Sequence, residues 1–424
     1  MASPFIIKEH TCDAQHVREY PNATAHSQED VLKLSIKQYI PRNNQSPKPG
    51  DVTIIGAHAN GFVKELYEPL WEDLVQSLAQ RGVGVRGIWM ADVAWQGQSG
   101  ILNDDVLGND PSWHDHARDL LHMVNTFRAH MPRPLIGMGH SFGGNIIVNL
   151  ALLHPRLLSS LVLLDPVLAA FRDRPTYGFP PLANSARRRD LWPSRAAAAA
   201  SFAASPFYST WDPRCLALLA AHGLRDTPTP LHPTAAPPQV TLTTSKHQEC
   251  FTYYRPLAQT TDPATGRRAI DKALLVDADE GVLAQDPEVF AFYRAEGTSA
   301  IPRLPSLRPG VMWIFGGKSD ISTPEVRAEK MALTGVGTGG SGGAKAGRVK
   351  EVVVEEFGHL VPMEATTRCA EVAAGFIAGD LGVWREEERR FREFAARPKA
   401  EKQMMDEDWK IWLDKGRARM KGKL

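Results

Sequence analysis

The sequence predicts an α/β protein built on a mostly parallel sheet, and three observations support this fold class. Short apolar segments typical of strands alternate with helical patterns through residues 52–164. One of these strands runs directly into a Gly-x-Ser-x-Gly turn at residues 139–143, and a helical pattern follows at once. Strand patterns resume near residues 311 and 352. Alternating strands and helices imply right-handed crossover connections, which place parallel strands side by side.

The predicted elements can be given in chain order. The first two strands should pair antiparallel, because the second alternates apolar and polar residues as a half-exposed strand does. The later strands are short and apolar, which is typical of strands buried on both faces. The predicted strands are residues 5–8, 32–40, 52–56, 83–89, 135–138, 161–164, 311–315 and 352–354, and the predicted helices are residues 65–81, 111–130, 145–153 and 363–379.

The alternation of strands and helices stops between residues 167 and 309. This segment is rich in Pro, Ala, Arg and aromatic residues, which favours a large, mainly helical insertion that acts as a cap. Further along, residues 335–347 are almost all Gly, Ser, Thr and Ala, so we expect a flexible surface loop. The predicted organisation is a core in two parts, residues 1–166 and 310–382, with a cap at 167–309 and a charged helical extension at 383–424.

Composition excludes several classes of protein. The 49 basic and 48 acidic side chains give a net charge of +1, so no overall electrostatic field points to a nucleic-acid partner. The 4 cysteines have no Cys-x-x-Cys spacing, which argues against a zinc site or a disulfide framework and favours a reducing compartment. No apolar run reaches the ~20 residues of a membrane-spanning helix. We expect a soluble protein that needs no metal or redox cofactor.

Ser141 is the candidate nucleophile. It stands at the centre of Gly139-His140-Ser141-Phe142-Gly143, between a strand and a helix. In that context the glycines permit a turn so sharp that the serine hydroxyl projects from the edge of the sheet. The N-terminus of the following helix also favours negative charge nearby. The alternative is a serine in an ordinary glycine-rich turn.

A serine hydroxyl needs a base, and a histidine oriented by a carboxylate is the usual solution. His359 follows the last predicted strand and a glycine, where such a base is expected; a solvent-exposed loop histidine is the alternative. Two acids remain open. Asp320 follows the strand that most often carries the acid in such sheets, whereas Asp165 ends the strand before it. The residues alone slightly favour Asp320, because Asp165 could simply cap its strand.

Backbone N–H groups should stabilise the oxyanion of a tetrahedral intermediate. Phe142 follows the nucleophile and is one candidate, and Phe62, in the loop after the strand at residues 52–56, is the other. His58 in the same loop either contacts the substrate or satisfies a buried loop. Trp95, after the strand at residues 83–89, is a candidate substrate contact that shapes the wall of the pocket. Lys246, Tyr254 and Arg255 are further candidates, for which a packed helix with a solvated face is an equal alternative.

Four of these segments together resemble the fungal α/β-hydrolases of toxin and meroterpenoid pathways, in particular the acyl-CoA hydrolases of mycophenolic acid biosynthesis. The segments are residues 58–65, 139–143, 163–166 and 246–255. The resemblance extends over nearly the whole chain and implies the α/β-hydrolase fold, with a large cap and extra C-terminal helices. In that family the acid follows the earlier strand, so the resemblance moves the choice to Asp165, with Asp320 second.

The resemblance also implies a reaction and a substrate. It implies a serine hydrolase that cleaves the CoA thioester of a bulky prenylated aromatic or polyketide-derived acid through an acyl-enzyme. Two alternatives stay open. One is a carboxylic ester or lactone hydrolase with the same three residues, and the other is a non-catalytic binding protein on a hydrolase scaffold.

Partners and location follow from the end of the chain. The resemblance implies a homodimer in which the C-terminal helices embrace the cap of the partner. The last residues, Gly422, Lys423 and Leu424, are similar to the Ser-Lys-Leu signal that the peroxisomal import receptor reads, and they depart from it at the first position. The expected location is therefore the peroxisomal matrix, with the cytoplasm as the alternative if this ending is a coincidence.

Overall fold

The computed structural model describes residues 3–168, 180–275 and 277–421. The chain divides into two units, Met1–Ala378 and Gly379–Leu424. The elements that precede the cap are the strands β1 (Phe5–Asp13), β2 (Lys33–Pro41), β3 (Val52–Ala57), β4 (Val85–Ala91), β5 (Leu135–His140) and β6 (Leu158–Leu164), and the helices α1 (Glu68–Ala79), α2 (Gly97–Leu102), α3 (Trp113–Thr126) and α4 (Phe142–Leu153).

Residues 167–309, predicted as a cap and called the cap below, contribute only short elements in their described part. Its helices are α5 (Pro180–Arg187), α6 (Arg195–Ala203), α7 (Pro213–His222), α8 (Lys246–Tyr253), α9 (Glu280–Leu283) and α10 (Glu296–Ser299). Its strands are β7 (Leu191–Trp192), β8 (Leu224–Asp226), β9 (Val240–Leu242), β10 (Arg255–Pro256), β11 (Thr260–Thr261), β12 (Arg268–Ala269) and β13 (Phe292–Tyr293). They form three small antiparallel sheets, which the sequence did not predict because strands of two or three residues are too short to show a period.

The core resumes after the cap with β14 (Gly310–Gly316), α11 (Pro324–Leu333), β15 (Val349–Val354) and α12 (Val361–Glu364). Eight strands form the central sheet in the order β1-β2-β4-β3-β5-β6-β14-β15. In this sheet β1 pairs antiparallel with β2, and β2 pairs antiparallel with β4. The neighbouring strands β4, β3, β5, β6, β14 and β15 run parallel to one another. The α/β-hydrolase architecture expected from the sequence, a mostly parallel sheet with an antiparallel start, is confirmed.

Burial explains why the central strands are apolar throughout. Every residue of β3 and of β5 is buried, since helices cover both faces of the sheet. Helix α4 is buried along almost its whole length and packs against α3 and β5. Because β5, β6, β14 and β15 run parallel, their carboxyl ends meet at one edge of the sheet. Ligands bind at this edge in sheets of this kind.

Arg255 is a buried charge that links the cap to the core. Its guanidinium donates to both carboxylate oxygens of Asp110, at 2.6 and 2.7 Å, and to Asp277 at 2.9 Å. It also lies 3.5 Å from the centre of the Tyr20 ring. Removing one partner from such a buried pair typically costs about 3–5 kcal/mol, because the remaining charge stays buried without compensation.

The glycine-rich segment at residues 335–347 differs from its prediction as a flexible loop. Its backbone is tied to the end of the cap through N–H groups that donate to carbonyl oxygens: Gly335 to Leu304 at 2.9 Å, Gly337 to Pro305 at 2.9 Å and Ser341 to Leu307 at 2.8 Å. Composition could not reveal this order, because the bonds use the backbone and not the side chains.

Helix α13 (Thr366–Ala395) extends well beyond the predicted helix at residues 363–379, and α14 (Lys399–Gln403) and α15 (Glu407–Lys421) follow it. Ion pairs one turn apart support the continuation: Glu386 lies 2.7 Å from Arg389 and 2.8 Å from Arg390. Among the helices in the described ranges, none combines the length and the apolar character needed to cross a membrane.

Candidate active site

The turn that carries Ser141 has a strained backbone that depends on glycine. Ser141 has φ 58° and ψ −125°, a region that non-glycine residues rarely adopt. A Cβ atom on Gly143 would lie 2.4 Å from the carbonyl oxygen of Ala57, and one on Gly139 would lie 2.3 Å from that of Gly143. Only glycine fits at these two positions, so the turn closes tightly enough to project the Ser141 hydroxyl.

Three side chains form a continuous hydrogen-bonded row at the carboxyl edge of the sheet. Nε2 of His359 lies 2.8 Å from Oγ of Ser141, and Nδ1 of His359 lies 2.7 Å from Oδ2 of Asp165. A carboxylate oxygen can only accept, so Nδ1 carries the proton and Nε2 is free to accept one from the serine. This is the arrangement that activates a serine for attack on an acyl carbon.

Asp165 is held in place by several donors. Its backbone, with φ 39°, donates its N–H to the carbonyl oxygen of Ile314 at 2.8 Å. Its carboxylate accepts from the Ser319 hydroxyl at 2.5 Å and from the Gly316 N–H at 3.3 Å. Burial raises the pKa of this carboxyl, but the hydrogen bonds from His359 and Ser319 outweigh burial and hold the pKa below its ordinary value. The carboxyl is therefore ionised at neutral pH.

The structure brings Asp165, and not Asp320, to the histidine. Asp320 is exposed in the loop after β14. The residue before it, Ser319, is buried and donates to Asp165. The slight preference for Asp320 from the residues alone is therefore wrong. The loop after β14 supplies a supporting hydroxyl, that of Ser319, and not the acid itself. Ser319 itself was missed, although its place at a strand end was a usable signal.

The two predicted oxyanion donors differ in the structure. Phe142 opens α4, where N–H groups have no partner within the helix, so its N–H is available beside Ser141. The N–H of Phe62 instead donates to the carbonyl oxygen of Ala59 at 3.1 Å and closes a turn in which Gly61 has φ 76°. The prediction of Phe62 as the second donor is corrected, because its own loop already uses that N–H.

Other donors in the same loop remain available. Within the described structure, the N–H groups of Asn60 and Val63 have no hydrogen-bond acceptor. The loop itself is held by side chains: the Gly61 N–H donates to Gln96 at 2.8 Å, and the Lys64 N–H donates to Asp92 at 2.9 Å. The loop after β3 is thus fixed beside the turn with two donors to spare.

His58 serves this loop and not a substrate. Its Nδ1–H donates to the carbonyl oxygen of Ala59 at 2.8 Å, and its Nε2 accepts the N–H of Val93 at 3.0 Å. Burial lowers the pKa of His58 to about 4, so the ring is neutral. With both ring nitrogens occupied inside the protein, the expectation of a substrate contact is corrected to a structural role.

The remaining predicted substrate contacts are also used within the protein. Arg255 forms the buried ion pairs that join cap and core, and Trp95 donates its indole N–H to Thr252 at 2.8 Å. Lys246 pairs with an acidic side chain, Asp190, at 3.2 Å. Tyr254 is buried, with its ring centre 6.5 Å from that of Phe292. The polarity of these residues suggested binding, but their partners come from distant parts of the chain.

An aromatic cluster that the sequence did not single out lies beside the loop after β3. The ring of Phe62 is 5.3 Å from Trp211, which is 4.9 Å from Tyr208, and Tyr208 is 4.9 Å from Phe207. Phe207 is 58% exposed. The same segment of the cap is tied to α12, since the Asp212 N–H donates to a carbonyl oxygen there, that of Met363, at 2.7 Å. The cluster therefore forms an apolar wall close to the loop that follows β3.

Comparisons with known proteins identify relatives of the whole chain. Residues 67–224 match the Hydrolase_4 family model, described as serine aminopeptidase, S33. The type I acyl-CoA thioesterase mpaH' of Penicillium brevicompactum is 43% identical over 410 residues, which cover 92% of this chain and 91% of that protein. The abhydrolase domain-containing protein AFT2-1 of Alternaria alternata is 28% identical over 251 residues, 59% of this chain and 85% of that protein.

A solved structure supports the fold. The peroxisomal α/β-hydrolase Lpx1 of Saccharomyces cerevisiae superimposes with a TM-score of 0.65 at 18% identity, and the match covers 100% of this chain and 97% of that one. At this identity the likeness concerns the fold alone. The Penicillium match, in contrast, combines 43% identity with coverage of most of both chains. The chain therefore belongs to the family of hydrolytic enzymes, the fungal α/β-hydrolases, that includes the Penicillium type I acyl-CoA thioesterases.

Proposed function

We propose that this protein is an acyl-CoA thioesterase in which Ser141 is the nucleophile, His359 the base and Asp165 the orienting acid. The observation that carries the proposal is the continuous row from Ser141 through His359 to Asp165, with hydrogen bonds of 2.8 and 2.7 Å. The activity for which the Penicillium relatives are named supports a CoA thioester as the substrate.

The first half of the reaction forms an acyl-enzyme. Nε2 of His359 takes the Ser141 proton as Oγ attacks the thioester carbonyl carbon, and the Asp165 carboxylate stabilises the imidazolium that results. The negative oxygen of the tetrahedral intermediate accepts from the Phe142 N–H and from a second N–H on the loop after β3. Losing one such donor typically costs about 3 kcal/mol of transition-state stabilisation.

Collapse of the tetrahedral intermediate completes the first half, and hydrolysis of the acyl-enzyme in the second half regenerates the free enzyme. The carbon–sulfur bond breaks, the sulfur takes the proton from His359, and CoA leaves as the free thiol. The acyl group is then held as an ester on Ser141. A water molecule gives its proton to His359 and attacks this ester, and the acid leaves as Ser141 regains a proton. No step requires an electron acceptor or a metal.

The aromatic cluster supports a bulky apolar acyl group. Phe62, Trp211 and Phe207 present rings beside the loop after β3, and ring faces stack favourably on planar or branched apolar groups. We infer that this wall receives a prenylated aromatic or polyketide-derived acyl chain of secondary metabolism. Short straight chains would leave the wall in contact with water.

The first prediction concerns the nucleophile. Replacing Ser141 by Ala should lower turnover of acyl-CoA by about 10⁴-fold or more, since no other group takes the place of the hydroxyl. Free thiol release from a panel of acyl-CoA esters measures the effect, and binding of the substrate should persist. A Ser141→Ala enzyme that works near the parent rate would remove the serine mechanism.

Two further assays separate the thioesterase from the two alternative functions, a binding protein and an ester or lactone hydrolase. A fluorophosphonate should label the parent enzyme and leave Ser141→Ala unlabelled; a parent protein that resists labelling would favour a non-catalytic binding protein. Parallel assays with oxygen esters and lactones complete the test. Faster cleavage of those substrates than of any acyl-CoA would move the assignment to an ester or lactone hydrolase.

The second prediction concerns the acid. Asp165→Asn should lower turnover by about 10⁴-fold, because an amide cannot stabilise the imidazolium or fix the tautomer of His359. Asp320→Asn is the matched control, and its turnover should equal that of the parent since Asp320 is exposed away from the row. Steady-state kinetics on both variants decides the matter. Full activity in Asp165→Asn would overturn the assignment.

We further propose a homodimer in which the C-terminal helices cover a second copy of the chain. Large apolar side chains of this unit are exposed, Trp409 by 62%, Trp412 by 68% and Phe391 by 57%. A pocket of about 450 Å³ lies along α15 and is lined by Trp409, Trp412 and Leu413 with two acidic residues. Exposed apolar patches of this kind usually mark protein–protein contacts.

The third prediction tests this dimer. The double variant Trp409→Glu, Trp412→Glu should elute as a monomer, because buried charges without partners oppose association. Light scattering after size exclusion gives the mass. Arg417→Ala, on the same helix, is the control and should stay dimeric. A parent chain that is monomeric at micromolar concentration would contradict the proposal.

The fourth prediction concerns location. We propose import into the peroxisomal matrix through the tripeptide Gly422-Lys423-Leu424, which lies outside the described residues and is similar to Ser-Lys-Leu. A fluorescent protein fused before residue 1 should reach peroxisomes in yeast, and removal of Leu424 should leave it in the cytoplasm. A cytoplasmic signal from both fusions would support the cytoplasmic alternative.

A further inference from the structure

A chain of hydrogen bonds joins the three segments that carry the proposed catalytic groups. The Ala59 N–H donates to the Tyr67 hydroxyl oxygen at 2.8 Å, and that hydroxyl lies 2.8 Å from Nδ1 of His140. Nε2 of His140 lies 3.0 Å from the carbonyl oxygen of His359. Ala59 belongs to the loop after β3, His140 precedes Ser141, and His359 is the proposed base. All of Ala59, Tyr67 and His140 are buried.

Chemistry fixes the direction of each bond in this chain. A carbonyl oxygen can only accept, so Nε2 of His140 carries a proton. Burial lowers the pKa of His140 to about 3, so the ring is neutral and Nδ1 is an acceptor. Tyr67 must therefore donate its hydroxyl proton to His140, and its oxygen accepts from Ala59. Burial also holds the pKa of Tyr67 well above its ordinary value, so the proton it donates is always present.

We propose that Tyr67 and His140 are positioning residues that fix the His359 backbone and the loop after β3 relative to Ser141. The proposal rests on the serine mechanism put forward above. Neither residue touches the reacting atoms. Both act through these hydrogen bonds. His140 donates to the carbonyl oxygen of His359, and the ring of His359 lies between Ser141 and Asp165.

Removing the Tyr67 hydroxyl should disturb this arrangement in a defined way. Nδ1 of His140 would lose its donor, and the Ala59 N–H would lose its acceptor, so two buried polar groups would be left unsatisfied. The loop after β3 and the His140 ring, which donates to the His359 carbonyl, would each lose a directed restraint and could shift relative to Ser141. A displacement of about 1 Å at a reacting group can cost on the order of 10²-fold in rate.

The experiment compares Tyr67→Phe with a matched control, Tyr39→Phe. Tyr39 is also a fully buried tyrosine, and its hydroxyl donates to Glu68 at 3.1 Å, outside the proposed chain. Two rates are measured: turnover of acyl-CoA and labelling of Ser141 by a fluorophosphonate, which reports the Ser141–His359 pair without any CoA. Tyr67→Phe should lower both rates about ten- to hundredfold with little change in KM. Tyr39→Phe should lower only the thermal unfolding temperature.

A second pair of variants isolates the link to His359. In His140→Gln the side-chain amide can still donate to the His359 carbonyl, because its nitrogen stands where Nε2 stood. In His140→Asn the shorter amide can accept from Tyr67 but cannot reach His359. We expect His140→Gln to be labelled several times faster than His140→Asn. This comparison also decides the question if Tyr67→Phe does not fold.

Two results would overturn the inference. One is labelling of Tyr67→Phe at the parent rate, and the other is equal labelling of His140→Gln and His140→Asn. These failures differ from failure of the proposed function. If the serine mechanism is wrong, the parent enzyme resists the fluorophosphonate or Ser141→Ala keeps its turnover; if only the positioning role is wrong, the parent is labelled, Ser141→Ala is inactive and the Tyr67 and His140 variants behave like the parent.

Discussion

The site depends on one backbone constraint, the tight turn at Ser141. A non-glycine residue at φ 58° costs about 1–3 kcal/mol, so the surroundings must hold it. They do so from both sides: the Ser141 N–H donates to the Leu164 carbonyl of β6 at 3.0 Å, and α4 packs its buried face behind the turn. Because Gly139 and Gly143 carry no side chain, the strand and the helix approach closely enough for this support. The strain is thus stored where the hydroxyl must project.

The carboxyl edge of the sheet then determines what the hydroxyl meets. Ser141, Asp165 and His359 follow β5, β6 and β15, so parallel strands bring to one edge residues that are far apart in sequence. Asp165 leaves β6 with φ 39°, and its backbone N–H donates to the carbonyl oxygen of Ile314 in β14, which turns its carboxylate towards the histidine. Ser319, in the loop after β14, also donates to the Asp165 carboxylate. The acid and its support thus come from neighbouring strands.

Sequence patterns were sufficient for the sheet, Ser141 and His359, because strand periods and the glycine turn are local signals. They could not decide between Asp165 and Asp320, since that choice depends on which strand end turns towards β15. They also could not decide whether Arg255 and His58 contact a substrate or serve the protein itself. A polar residue in a cap or a loop looks the same in sequence whether it contacts a ligand or another side chain of the protein. Asp110, which pairs with Arg255, lies 145 residues away in the sequence. Such pairs follow from tertiary packing, which no local pattern records.

Buried polar groups are costly unless every donor and acceptor is satisfied. In this protein Tyr67, His140 and Ser319 are buried polar groups beside the loops and the turn that carry the candidate reactive atoms, and there their hydrogen bonds serve the geometry of the site. Apolar packing holds segments together but tolerates small rotations, whereas a hydrogen bond fixes both a distance and a direction. In the proposed mechanism, three segments with independent backbones have to meet closely for a proton to pass between Ser141 and His359. Directed bonds from Tyr67, His140 and Ser319 supply the restraint that the apolar core cannot.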